Sequence, residues 1–195
     1  MNWPNRLTMT RVFMIPLFIA LLMLTNVFTW ARYAAAGVFI LACLTDLLDG
    51  KIARKYNMIT DFGQFMDPLA DKLLVVSGLI TLVFMHIFTE EQHLLDADAE
   101  NIVFTIVVLL IVAREFIISG FRLVAAGQGL VLAASKTAKV KTTFQMIMIV
   151  ALILHFNFLP FLILEWVLIL CSLILTVWSL CEYLVKNASV LKDVR

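Results

Sequence analysis

Charge is scarce in this chain. Only 15% of its 195 residues are Asp, Glu, Lys or Arg, against 63% hydrophobic residues, and the mean hydropathy is +1.00. That balance excludes an ordinary water-soluble globule and reads as one polytopic membrane domain over residues 1–195. Cysteine is nearly absent too: Cys43, Cys171 and Cys181 lie in apolar runs without CxxC spacing, which argues for small buried hydrophobes over redox or zinc chemistry. A glycine-rich phosphate loop, a Ser-His-Asp set and a nucleic-acid patch are all missing. From Thr89 to Asn101 there is no Lys or Arg, while Glu90, Glu91, Asp96, Asp98 and Glu100 crowd together, the pattern of a solvated loop.

What is present is a series of apolar runs. Six are long enough for a helix to cross a bilayer, at about 9–30, 33–56, 62–88, 102–126, 138–158 and 161–185. The expected fold is therefore all-α, with six transmembrane helices preceded by a short interfacial segment at Trp3, Pro4 and Arg6. The first run is too long for a cleavable signal and has no small-residue cleavage site after it. Arg6, Arg11, Lys51, Arg54, Lys55, Lys72, Arg114, Arg122, Lys136, Lys139, Lys141, Lys186, Lys192 and Arg195 all fall on one side of such a six-span chain, leaving Arg32 opposite. The positive-inside rule then puts both termini in the cytoplasm and the acidic loop outside, with His86, His93 and His155 on that outer side and given no catalytic part.

Four aspartates interrupt the apolar sequence. Asp46 and Asp49 are three residues apart, and Asp67 and Asp71 four apart, so each pair projects from one face of its helix. A short turn near Asn57 to Thr60 makes the two helices antiparallel neighbours and brings both pairs to the same membrane surface. Carboxylates so close repel one another unless cations neutralise them. An all-oxygen set without His or Cys favours Mg²⁺ or Mn²⁺, one ion or two. Gly50, Ala53 and Arg54 lie within a turn of Asp49, offering a close-approach surface and a guanidinium able to grip phosphate in a fork. The bland alternative is four unrelated interfacial acids, which a shared seam makes a poor account.

From Asp46 the chain reads DLLDGKIARKYNMITDFGQFMDPLAD, which matches at eight fixed positions the pattern D-x2-D-G-x2-A-R-x8-G-x3-D-x3-D. In this it resembles the CDP-alcohol phosphatidyltransferase family. WPNRLTMTRVFMIP at the start, AREFIISGFR from Ala113 and KVKTTFQM from Lys139 resemble the branch of that family whose acceptor is glycerol 3-phosphate, so the likeness covers nearly the whole chain. The resemblance implies transfer of a phosphatidyl group from CDP-diacylglycerol to a small alcohol, with release of CMP. It also implies that Asp46, Asp49, Asp67 and Asp71 hold divalent metal, two ions, with Asp71 the general base. Gly50, Ala53 and Arg54 would contact the CDP group, and Thr60, Asn5 and Thr8 extend that set. A homodimer in a bacterial cytoplasmic membrane is implied by the likeness alone.

The acceptor is read from the basic side. Arg114 and Arg122 are eight residues apart and can face one groove, and Lys139 and Lys141 add charge suited to an acceptor that bears its own phosphate, such as glycerol 3-phosphate. The competing reading is that these cations enforce topology and touch anionic lipid. Glu115 either orients Arg114 or makes a structural ion pair. Inositol phosphate, serine or phosphatidylglycerol are the alternative acceptors. A cation transporter would explain the acids but not Gly50, Arg54 or the basic side, and no repeat relates the two halves.

Overall fold

Apolar runs without internal turn signals close their own backbone hydrogen bonds as helices, the solution that lipid demands. The computed structural model describes residues 3–55, 61–88, 94, 96–127 and 136–187, and of 3–8, 26, 46–55, 61–68, 71 and 136 the backbone alone. Among the described residues the structure is all-helical: α1 (Trp3–Met23), a 3-10 turn (Leu24–Asn26), α2 (Thr29–Lys55), α3 (Asp61–Phe84), α4 (Ala97–Gly127), α5 (Lys136–Leu154) and α6 (Leu159–Lys186). The sequence places an interfacial segment ahead of the first span, whereas α1 already begins at Trp3. It also carries that span to about residue 30, whereas α1 stops at Met23. There Thr25 Oγ1 donates to the Leu22 carbonyl at 2.8 Å and the 3-10 turn closes the end. A short polar side chain near a helix end competes for backbone carbonyls, which hydropathy does not register.

The chain divides into two compact units, Met1–Ile87 with Ile149–Phe156, and Phe88–Met148 with Asn157–Arg195. In the first, α2 buries Ala31, Ala35, Ala36 and Ala42, and these small side chains let α1 come close. Phe18 and Phe39 fill the contact with ring centroids 5.3 Å apart, and both are wholly buried. At Gly78 of α3 an added Cβ would lie 3.2 Å from Phe18 Cε1, so the glycine sets how near α3 approaches. Arg32 donates to the carbonyls of Leu154 and His155 at 3.3 and 3.1 Å, satisfying groups that the end of α5 leaves open. His155 and His86 follow α5 and α3 at φ of 33° and 47°, left-handed residues that stop each helix.

In the second unit the side-chain pairings fix helix directions. Thr137 with Glu182 and Gln145 with Thr176 run α5 antiparallel to α6. Phe88 with Trp166 at one end, and Phe121 with Tyr183 at the other, run α4 parallel to α6. The segment before α4 is fastened by Asn101, which accepts from Phe88 N–H and donates to the carbonyls of Phe88 and Ala97. Glu100 corrects the picture of a wholly solvated acidic loop: it is fully buried and its Oε1 accepts from Leu94 N–H at 2.8 Å. In the first turn of α4 a carboxylate also meets the positive end of the helix dipole. Asp96 and Asp98 are exposed, as expected of that loop. The cysteines are free thiols, and none is fully buried, contrary to expectation: Cys43 and Cys171 are half-buried and Cys181 is exposed.

Apolar side chains face outward, including Leu109, Phe116 and Leu123 on α4 and Leu170, Ile174 and Trp178 on α6. Polar ones, such as Gln145, Ser172, Thr176 and Ser179, face inward. Such an arrangement suits lipid, not water. Among the described residues α4, residues Thr137–Leu154 of α5, and α6 are long and apolar enough to cross a membrane. Met9–Met23, Thr29–Thr45 and Lys72–Phe84 are shorter apolar stretches.

Because Gly78 sits against Phe18, a bulky side chain there must push α3 from α1. Gly78→Leu is expected to lose about 1–3 kcal/mol of stability, read by thermal unfolding in detergent, whereas Gly78→Ala, which gains helix propensity, should lie near wild type.

Candidate active site

The aspartates are placed by helix periodicity. On α2 the buried stripe runs Ala35, Phe39, Ala42, and the same stride continues to positions 46 and 49. On α3 the buried stripe Leu82, Gly78, Val75 continues in the other chain direction to positions 71 and 67. All four positions thus extend the stripes by which these helices pack inside the first unit. Gly50, Ala53 and Arg54 follow on the last turns of α2, and Asn5 and Thr8 lie in the first turns of α1. Thr60 lies outside the described residues, as do the side chains of Asn5, Thr8, Asp46, Asp49, Gly50, Ala53, Arg54, Asp67 and Asp71. Among the described residues no group of three or more His, Cys, Asp or Glu gathers, so no rival metal centre is offered there.

The basic residues can be followed atom by atom. Arg114, 6% exposed, donates through Nη2 to Ser179 Oγ at 2.5 Å and through Nη1 to Glu115 Oε1 at 3.1 Å. Lys141, 2% exposed, reaches the same Glu115 oxygen. Two turns further along α4 the half-buried Arg122 lies over the ring of Tyr183, its guanidinium carbon 5.8 Å from the centroid, a cation–π contact. Ser179 and Tyr183 are one turn apart on α6, so a single helix face receives both arginines. Lys139 is exposed, because two residues along α5 carry it to another face than Lys141. The structure gathers Arg114 and Lys141, sets Arg122 on the same seam, and leaves Lys139 apart.

Along this seam Arg114 and Lys141 share the carboxylate of Glu115 and Arg122 stacks on Tyr183, three cations to one acid among the described contacts. Nε of both arginines and the Tyr183 hydroxyl are buried with no hydrogen-bond partner among the described residues. A net positive seam with donors to spare suits an anion, and phosphate oxygens above all. Sequence reasoning missed Ser179, Tyr183 and the shared role of Glu115. The signal was present: Ser172, Thr176, Ser179 and Tyr183 recur at steps of four, three and four along α6, a polar stripe inside an apolar run.

An all-helical chain with outward apolar faces, an acid segment on buried stripes and a basic seam describes a membrane-suited protein that handles anionic groups. The model of the CDP-alcohol phosphatidyltransferase family matches residues 1–178, and the chain belongs to that family, whose members generally depend on a divalent metal. Relatives named CDP-diacylglycerol–glycerol-3-phosphate 3-phosphatidyltransferase include one from Bacillus subtilis (strain 168), 37% identical over 98% of this chain and 97% of its own. Others come from Rickettsia typhi, 41% identical over 78% of this chain and 76% of its own, and Escherichia coli (strain K12), 35% identical over 94% and 93%.

Glu115 joins two buried cations, Arg114 and Lys141, and removing it takes a carboxylate from both. Glu115→Ala is expected to cost about 3–5 kcal/mol, measured by thermal or denaturant unfolding in detergent. Lys186→Ala, which removes an exposed partner of Glu182, should change the same readout far less.

Proposed function

We propose that this enzyme transfers the phosphatidyl group of CDP-diacylglycerol to the hydroxyl of sn-glycerol 3-phosphate, giving phosphatidylglycerophosphate and CMP. The observation that carries this reading is the near full-length likeness to relatives bearing that name. The chain works as one membrane domain over residues 1–195, with six membrane-spanning helices, in a bacterial cytoplasmic membrane. Both termini and the active site face the cytoplasm, and the protein is a homodimer. The helix directions within the second unit and the basic residues at 114–141 support that topology.

Asp46, Asp49, Asp67 and Asp71 would hold two divalent cations, Mg²⁺ or Mn²⁺. Hard carboxylate oxygens fit such ions, and positions on one continued stripe per helix fit a shared cage. Bound there, the ions supply positive charge to the pyrophosphate of the donor. Gly50 and Ala53 leave room for the CDP group beside α2, and Arg54, Thr60, Asn5 and Thr8 provide polar contacts to it. Asp71 accepts the proton of the acceptor hydroxyl as its oxygen bonds to phosphorus, and CMP departs with the electron pair of the broken P–O bond. Arg114, Lys141 and Arg122 bind the acceptor's own phosphate, Glu115 and Ser179 hold the first two groups in place, and Lys139 contributes from the exposed side. A single displacement inverts configuration at phosphorus.

Purified protein supplied with CDP-diacylglycerol and Mg²⁺ should turn over with glycerol 3-phosphate and stop on chelation. Turnover with inositol phosphate, serine or phosphatidylglycerol instead would reassign the acceptor. Arg114→Gln or Arg122→Gln should raise KM for glycerol 3-phosphate at least about tenfold, the loss of one charge-assisted contact, with a smaller change for the donor. Equal effects on both substrates would remove these arginines from the acceptor site. Retention at a chirally labelled phosphorus would mean two displacements.

A further inference from the structure

Arg11 is counted in the sequence among the cations of the cytoplasmic side, yet in α1 it is wholly buried, 0% exposed. A guanidinium remains charged at any physiological pH, and when it is fully buried an anion answers that charge best. Within its unit every carboxylate lies in the aspartate segment: Asp46, Asp49, Asp61, Asp67 and Asp71 are the acids of residues 1–87, and 149–156 contains none.

Helix register narrows the choice. Arg11, Ile15, Phe18 and Leu22 form the buried stripe of α1. Phe18 is level with Phe39 on α2 and with Gly78 on α3. α2 runs antiparallel to α1, and α3, the next helix of the unit, runs parallel to α1. Seven residues back from Phe18 is Arg11, seven forward from Phe39 is position 46, and seven back from Gly78 is position 71. Each step is about 10.5 Å along its helix and nearly two whole turns, so each position keeps the face of the residue it started from. Asp49 lies about 4.5 Å beyond that level and Asp67 about 6 Å, while Asp61 is about 15 Å away.

We infer that Arg11 is the resident counter-charge of the acid site, paired with Asp46 and Asp71 and orienting both carboxylates before metal arrives. It is a positioning residue, acting through the aspartates. The inference rests on the metal-site reading of those aspartates. A fixed cation beneath the cluster lowers the repulsion among four carboxylates that metal ions otherwise have to cancel.

The test is thermal unfolding in detergent, in EDTA and in excess Mg²⁺, with turnover of CDP-diacylglycerol and glycerol 3-phosphate alongside. In EDTA Arg11→Met should lower Tm by about 10 °C, the scale of a broken buried pair in a chain of this length. Mg²⁺ should recover at least half of that loss, and Arg11→Lys should recover a similar share in EDTA. Adding Asp46→Asn or Asp71→Asn to Arg11→Met should raise Tm, since one repelling charge leaves with its partner. If Arg11→Met alone gives no folded protein, the double variants decide: recovery of folded protein supports the pairing and continued failure overturns it. A loss equal in EDTA and Mg²⁺ and unrelieved by either second substitution overturns the inference while leaving an active, Mg²⁺-stabilised wild type untouched. Wild type that neither gains Tm with Mg²⁺ nor turns over removes the functional reading and this inference with it.

Discussion

Charge inside lipid-facing helices must be answered from within the protein. The outward faces of α4 and α6 are apolar, so a guanidinium or carboxylate in those helices has no water to turn to along most of their length. The consequence is visible at three buried charges. Arg114 finds Ser179 and Glu115, Lys141 finds Glu115, and Glu100 accepts from the Leu94 backbone. Each such partnership fixes the rotation of a helix about its axis, because only one face can carry the charge to its partner. Electrostatic satisfaction thereby acts as a device of helix register, a role for which buried polar groups are well suited.

Under the proposed function each unit carries a charge problem of its own. The first brings a segment with four aspartates onto the stripes by which its helices pack, a concentration of negative charge that is tenable with cations. The second sets Arg114 and Lys141 on the carboxylate of Glu115 and Arg122 over Tyr183, a seam that suits an anion. In the proposed chemistry, binding energy from the acceptor phosphate at the basic seam is used to orient the hydroxyl. The small residues of α2 serve a different end, allowing α1 to close on the helix that carries the first two acids.

Composition was enough to place this chain among helical membrane-suited proteins, and the spacing of eight residues from Asp46 to Asp71 was enough to place it in its family. Both are local properties: hydropathy is summed along the chain, and a motif on consecutive helical turns is written in the order of residues. The polar stripe of Ser172, Thr176, Ser179 and Tyr183 was legible in the same way, though hydropathy averaged over an apolar run conceals it. Helix ends were less legible, since the 3-10 turn after Met23 and the left-handed histidines at 86 and 155 depend on individual backbone contacts.

Tertiary structure alone decided which faces meet. Periodicity shows that Lys139 and Lys141 diverge on α5, but only the packing of α5 against α4 and α6 selects Lys141 as the partner of Glu115. The burial of Arg11, read from sequence as one more cytoplasmic cation, follows from the crossing of α1 with its neighbours, and so does the burial of Glu100 beneath Leu94. A helix specifies the angle between its own side chains through its pitch; its rotation against a neighbour is set by contacts between residues far apart in the chain, and those are recorded nowhere in a single segment.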